Sequence, residues 1–337
     1  MVWISLVMLY GILKGVREIL KKKALGRNTV MEVLLMYTLL SFLILLPTAP
    51  KAGGLEAGQY GAIFIKSFII FLAWLCSFHA LSIMPVSLYG ILDMSRILFS
   101  TLLGILVIKE KLTVPVAVGL VLVCAGLYAL SGLKKREKEE TTIVEQKAAE
   151  DNLTADVMPS EAEQIPSGTQ TVENPQPAAE ERTRDQIVWG RITSSTAGVV
   201  ILAFLSAFFN AVSGTMDKVL MKGMNETQLQ FWYMLFLVLL YVGYTVLMRT
   251  KIRLRGMFTN PYVWMLSVAF IIADRALFIA NRDPASRVTI MTLLKQSGVI
   301  CTIIGGRIFF REKHIKYKLC CAAVVIAGIV IAVIPFS

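Results

Sequence analysis

Histidine is almost missing from this sequence: two residues in 337. That excludes a metal centre built on imidazoles and leaves little for a triad with a histidine base. Charge is scarce too. Asp, Glu, Lys and Arg make up 17% of the chain, where soluble domains carry about 25%. The cysteines, Cys76, Cys124, Cys301, Cys320 and Cys321, all lie inside apolar runs. None forms a C-x-x-C pair, and an odd count suits no disulfide framework, so they read as small packing residues. Glycine-rich phosphate loops, H-E-x-x-H, G-x-S-x-G and paired-carboxylate patterns are missing as well. These absences argue against an enzyme, against a cofactor or bound metal, and against ATP-driven pumping by this chain alone.

What is present is hydrophobic residue, 56% of the chain, with a mean hydropathy of +0.66. A soluble monomer of that composition would aggregate. Ten apolar segments can be marked: Val2–Leu20, Val30–Thr48, Tyr60–Ala80, Pro85–Ile108, Thr113–Leu130, Thr196–Met221, Leu229–Met248, Pro261–Ile279, Pro284–Phe310 and Tyr317–Phe336. Most reach the ~20 residues that a helix needs to cross a bilayer core. Backbone groups in hydrocarbon must pair within their own segment, which selects helices, and the strand alternation of a membrane barrel is absent. The first segment has no charged leader region and no small-residue cleavage site, so it reads as a retained helix.

One stretch breaks the pattern. From Lys134 to about Ser195 the chain is rich in Glu, Gln, Thr and Pro, has few aromatics and shows no periodicity. It reads as a disordered charged linker. The domains are then a first five-helix unit at 1–133, the linker at 134–195 and a second five-helix unit at 196–337.

The two units repeat. At a fixed offset of 202, Ser95 meets Ser297, Gly104 meets Gly306, Glu110-Lys111 meets Glu312-Lys313, and Ala125-Gly126 meets Ala327-Gly328. Five helices per unit bring the second copy into the membrane from the opposite side. The expected fold class is therefore an all-α integral membrane protein, ten transmembrane helices as two inverted five-helix repeats. Inverted repeats around a midplane site are a transporter architecture.

The net charge is +11, but the bases cluster at the ends of apolar runs, which points to membrane topology and away from nucleic acid. Lys21, Lys22, Lys23 and Arg27 follow the first segment, and Lys134, Lys135, Arg136, Lys138 and Arg191 flank the linker. Arg249, Lys251, Arg253 and Arg255 follow the seventh; Arg311, Lys313, Lys316 and Lys318 follow the ninth. The loops after even-numbered segments hold far fewer. The positive-inside rule then places the odd loops and the linker in the cytoplasm and both termini outside, in a cell (inner or plasma) membrane.

Charges inside apolar segments are costly and are expected to face the bundle interior. On the fourth segment, Tyr89, Asp93, Arg96 and Ser100 share one helix face, with Asp93 and Arg96 within pairing reach. The equivalent segment carries Thr292, Lys295 and Gln296, and Lys295 occupies the position equivalent to Asp93. These stripes read as a substrate-binding surface. The alternative is an ion pair, Asp93–Arg96 or Asp93–Lys295, that only locks the bundle. Asp274 and Arg275 sit side by side on the eighth segment about 100° apart, so the two cannot serve one spot. One is read into the cavity, with a helix–helix salt bridge as the alternative. Lys14 and Asn210, on the first and sixth segments, are deep enough to join the site. Arg17, Glu18, Asp217 and Lys218 are nearer helix ends and are expected to snorkel to the headgroups. Trp74 and His79 can face the cavity or simply pack. Glu110 and Glu312, in tight turns, read as structural carboxylates that complement the dipole of the next helix.

A Pro-initiated fourth helix, then G-x(5)-E-K, then an apolar helix with Ala-Gly occurs twice: Pro85, Gly104, Glu110, Lys111, Ala125, Gly126, and Pro284, Gly306, Glu312, Lys313, Ala327, Gly328. This resembles the drug/metabolite transporter superfamily, and within it the EamA-like ten-helix branch, over both helical units. The resemblance implies alternating access and a central cavity lined by the first, third, fourth, sixth, eighth and ninth helices. It also implies termini inside, against the charge count, and a shorter linker than this one.

The expected function is secondary transport of a small polar or amphipathic metabolite. Cations outnumber acids in the helices, which favours an anionic or zwitterionic substrate held by Arg96, Arg275 and Lys295. Asp93 or Asp274 would take a coupling proton where burial raises its pKa; a counter-substrate could serve instead. Membrane lipids are expected partners and nucleic acid is not; the chain would work as a monomer or homodimer. The rival readings are a flippase for a lipid or lipid-linked substrate and a non-transporting scaffold whose linker binds partners.

Overall fold

The computed structural model describes residues 2–107, 114–115, 117–119, 121–126, 128–129, 184–250, 252–253, 258–283, 291 and 294–333. Among them there is no strand. The helices are α1 (Val2–Leu25), α2 (Val30–Leu45) with a 3-10 extension (Leu46–Lys51), α3 (Ala57–Ile83), α4 (Val86–Asp93), α5 (Arg96–Val107), α6 (Ala117–Gly126), α7 (Arg184–Thr193), α8 (Thr196–Leu220), α9 (Glu226–Met248), α10 (Pro261–Arg282), α11 (Ser297–Phe310) and α12 (Ile315–Val333). Glu110, Lys111, Pro284, Thr292 and the body of the linker lie outside the described residues.

Among the described residues, six helices are long and apolar enough to cross a membrane: α2 with its extension, α3, the α4–α5 stretch Val86–Leu103, α8, α9 and α10. α1 has the length, but Lys14, Arg17, Glu18 and Lys21 interrupt its second half. Starts follow the local sequence. Thr29 and Glu32 close a capping box on α2, and Asn225 and Gln228 close another on α9. Pro261, whose missing N–H costs nothing in a first turn, opens α10.

Two opposite ends of the bundle can be told apart. α3 has 27 residues, a length of about 40 Å. At its start Gln59 donates to Gly223 O, just past the end of α8. At its finish the carbonyls of Leu81, Ser82 and Met84 accept from Lys22 near the end of α1. Asn260, which caps α10, reaches Ala24 and Asn28 at that same α1 end. Gln228 and Trp232 of α9 bond Gly53 and Ala52 at the other. The loops after the first, third and seventh apolar segments therefore share one face, and those after the second and sixth share the other.

Continuous hydrophobicity predicts one helix over the fourth apolar segment, but the structure divides it into two. It breaks at Met94-Ser95, where the amides of Met94, Ser95 and Ile97 each reach three residues back at 3.0 Å. A turn at Gln296 precedes α11 in the same way, with Val299 N bonding Gln296 O at 2.9 Å. Gln296 is the residue that aligns with Met94 in the repeat register.

The linker also ends earlier than its composition suggested. Arg184–Thr193 is a helix, α7, because Trp189 finds a place to bury. Its ring stacks on His79 at 4.0 Å between centroids and its indole N–H donates to Tyr244 OH. That hydroxyl donates in turn to Asp185, whose carboxyl is pushed above its ordinary value by burial.

α1 packs along α10 and against α11, and α3 packs along α8, which also meets α4 and α5. At the α1–α11 crossing the backbones touch. A Cβ on Gly15 would strike Gly298 O and lie 2.6 Å from Cys301 Cβ. One on Gly298 would strike Gly11 O. Small residues that let backbones meet are how membrane helices gain packing without a hydrophobic drive. Gly15→Ala and Gly298→Ala should each destabilise by about 1–3 kcal/mol through overpacking, read as a lowered thermal midpoint in detergent; an unchanged midpoint in both would mean the crossing is slack.

Candidate functional site

The helices enclose a cavity of about 460 Å³. Its wall is drawn from α1, α3, α4–α5, α8 and α10, from Lys295 and Gln296 ahead of α11, and from Tyr37 of α2 and Tyr233 of α9. The exposed Lys222, with Lys218 and Asn281, marks its mouth at the α8 end. Lys21 and Tyr89 are buried at its closed end. The cavity thus opens toward the face that carries the start of α3 and is shut toward the face where Lys22 meets the α3–α4 turn.

Each wall carboxylate has a cation beside it. Lys14 Nζ lies 2.6 Å from Asp93 Oδ2, tying α1 to α4. Arg17 lies 3.4 Å from Asp274, tying α1 to α10. Lys66 lies 3.0 Å from Asp217, tying α3 to α8. Lys21 lies 2.8 Å from Glu18 on the next turn of α1. Tyr233 OH also donates to Asp274 at 2.5 Å, and its ring lies 4.2 Å beneath the Lys66 ammonium. At membrane depth such contacts substitute for lost hydration.

The cations do not stop there. The wall also carries Lys218, which donates to Asn281 O, and Arg96, Lys222 and Lys295, for which no ion pair is seen among the described residues. Arg96 donates to Asn210 Oδ1 at 3.4 Å. Lys295 lies 5.8 Å from the Tyr10 ring. Both sit beside a helix break, Arg96 after Met94-Ser95 and Lys295 before the Gln296 turn. Gln296 Oε1 and Ser213 Oγ are among the buried acceptors of this wall that have no hydrogen-bond partner among the described residues. An apolar floor of Tyr37, Trp74 and Phe270, with centroids 5.0 to 5.2 Å apart, lies beneath them.

The sequence candidates Tyr89, Asp93, Arg96, Asp274, Lys295, Gln296, Lys14 and Asn210 all line this cavity. Arg275 does not: it points away and donates to Thr227. Thr292 is outside the described residues. Two expected pairings are replaced. Asp93 takes neither Arg96 nor Lys295 but Lys14, because α1 crosses α4 closely enough to present its amine. Arg17, Glu18 and Asp217 were expected to snorkel, yet they are 7%, 6% and 8% exposed and face inward. Each has a countercharge on the wall, so none needs the headgroups. Tyr89 accepts or donates a 2.7 Å bond with Ser77 and packs in the core.

Two residues escaped sequence reasoning. Lys66 is 2% exposed in the middle of an apolar run, and a lone intramembrane lysine is itself the signal. Tyr233 carried no signal, since one tyrosine among the aromatics of α9 resembles filling.

If the Lys14–Asp93 pair is wholly desolvated, removing one partner should cost about 3–5 kcal/mol and removing both much less. Lys14→Met should therefore lower the thermal midpoint sharply, and Lys14→Met with Asp93→Leu should recover most of the loss. Additive losses would show that the two charges do not depend on one another.

No curated protein matches the chain. Among the solved structures that match, one crystal structure shares the fold at 13% identity and a TM-score of 0.55, over 98% of this chain and 96% of that one. Residues 1–132 match the EamA-like transporter family. With its membrane-length helices closed around a charged cavity, this is a multi-pass membrane protein whose residues 1–132 match the EamA-like transporter family, as the drug/metabolite transporter resemblance implied.

Proposed function

We propose that the protein is a secondary transporter that moves a small organic anion, or the anionic end of a zwitterion, by alternating access. The observation that carries this reading is the unmatched positive charge of the cavity. Once each carboxylate has its partner, Arg96 and Lys295 remain on the wall outside any ion pair seen among the described residues, Arg96 beside the Asn210 amide and Lys295 near the Tyr10 ring. A carboxylate or phosphate placed between them would gain charge-assisted hydrogen bonds in a low-dielectric site. Gln296 Oε1 and Ser213 Oγ would accept from the substrate's own N–H or O–H groups. The apolar floor would take its carbon body, and Lys218 and Lys222 at the mouth would draw anions in.

Several observations support ten helices in two inverted repeats. α1 packs on α10 as α8 packs on α3, an exchange of partners between the units. The helix breaks at Met94 and Gln296 fall in register, and irregular backbone at membrane depth is tolerated where it lines a cavity. In this reading the loops after odd-numbered segments and the linker are cytoplasmic, in the inner or plasma membrane, so the cavity described above opens outward. Asp93 and Asp274 each already have a cation beside them, which favours a counter-substrate over a coupling proton.

The test is a thermal-shift screen in detergent with phosphorylated and carboxylated metabolites, amino acids, nucleotide sugars and lipophilic cations. A ligand at about 100 times its Kd stabilises by ~2.7 kcal/mol. Anionic compounds should give the shifts, and Arg96→Gln and Lys295→Gln should abolish them while leaving the unliganded midpoint within a few degrees. Shifts from lipophilic cations that survive both variants would overturn the reading.

A further inference from the structure

The G-x(5)-E element of the second unit does more than start the next helix. Glu312, just before α12, also reaches across the bundle to the start of α4 in the first unit. Its Oε1 accepts from Val86 N at 2.8 Å and from Ser87 N at 3.4 Å. Its Oε2 accepts from Ser87 Oγ and, at 3.1 Å, from the buried Lys318. The carboxylate is thus the N-cap of a helix far away in sequence, at the point where the first α4 amides would be orphaned. Gly306 makes the reach possible: a Cβ there would lie 2.9 to 3.0 Å from the Glu312 carboxylate.

The same turn is held from its other side. Lys22 donates to Leu81 O at 2.7 Å and to Ser82 O and Met84 O at 3.0 Å, filling the carbonyls left open at the end of α3. The α3–α4 turn is therefore gripped by a cation on its carbonyl side and an anion on its amide side. The two grips come from α1 and from the turn after α11. This is the closed end of the cavity, opposite the mouth at Lys222.

We infer that Glu312 and Lys22 form the latch of the closed face, and that the transport cycle releases it so that the α3–α4 turn can swing away and admit solvent to the cavity from that side. The inference rests on the alternating-access reading. It makes Glu312 a positioning residue: it touches no substrate, and it holds α4, with Tyr89 and Asp93, against the cavity. The contacts suit a latch better than a permanent joint. They are mostly hydrogen bonds to backbone groups, which water can replace, at the end of the bundle.

The test reads opening at the latch without any ligand. Val86 is fully buried directly under Glu312. Val86→Cys in the full-length protein, in liposomes, is exposed to a membrane-impermeant maleimide, and labelling of that peptide is followed by mass. Leu237→Cys, also fully buried but in the α9 core, reports general unfolding. Glu312→Ala and, separately, Lys22→Ala should speed labelling at position 86 roughly five- to tenfold, the factor expected from one lost cap. Position 237 should stay protected. Glu312→Gln, whose amide oxygen still accepts from Val86 N, should restore part of the protection. Unchanged labelling at 86 in both alanine variants would overturn the latch. Equal gains at 86 and 237 would overturn it too, since Glu312 would then only hold the fold together. Because no substrate enters the assay, a failed anion screen leaves this result readable, and a failed latch leaves the anion site untouched.

Discussion

A carboxylate buried among apolar helices is tolerated only beside a cation, and this molecule is arranged around that requirement. Asp93, Asp217 and Asp274 each meet a base from a different helix. The pairs Arg17–Asp274 and Lys66–Asp217 join α1 to α10 and α3 to α8, the two most extensive helix packings in the bundle. Tight packing outside and paired charge inside therefore belong to the same helix couples. Closer approach on the cavity side is blocked by the side chains that carry the pairs, which keeps a space open in a structure that would otherwise fill with leucine and phenylalanine.

The surplus base then has a defined address. Arg96 and Lys295 are the wall cations nearest the helix breaks, where the backbone itself loses some regular hydrogen bonding. A straight helix would carry these residues past the cavity at a fixed spacing. The break separates α4 from α5 and turns Asp93 toward α1 while leaving Arg96 beside Asn210. One segment thereby serves two neighbours, supplying an acid to one and a base to the other. Glycines at the α1–α11 crossing complete the geometry, since Lys14 reaches Asp93 only because α1 lies so close.

Much of this was legible in the sequence, for identifiable reasons. Membrane helices announce themselves by length and hydropathy, and a polar face at spacings of three and four residues marked Tyr89, Asp93 and Arg96, which line the cavity. The choice of partner was not legible. A helical wheel shows that Asp93 and Arg96 can meet, but not that Lys14 of another helix comes nearer. Snorkelling was the wrong expectation for Arg17, Glu18 and Asp217, because position near a helix end says nothing about whether a countercharge waits inside. Asp274 and Arg275 could be known to diverge but not which one turned inward. The hydrophobic break at Met94 was hidden because its residues are as apolar as their neighbours. α7 was hidden because one tryptophan, Trp189, suffices to dock a helix whose composition otherwise resembles the linker.

α4 has eight residues, a rod about 12 Å long. Its amide end is held by Glu312 and its carboxyl end carries Asp93, held by Lys14. A rod pinned at both ends cannot bend to absorb a displacement; it can only tilt. Any shift of Asp93 within the cavity is therefore delivered at Val86 with little loss, and any loosening at Val86 is felt at Asp93. Two turns of helix make the chamber and the far face a single mechanical element, with no relay of side chains between them.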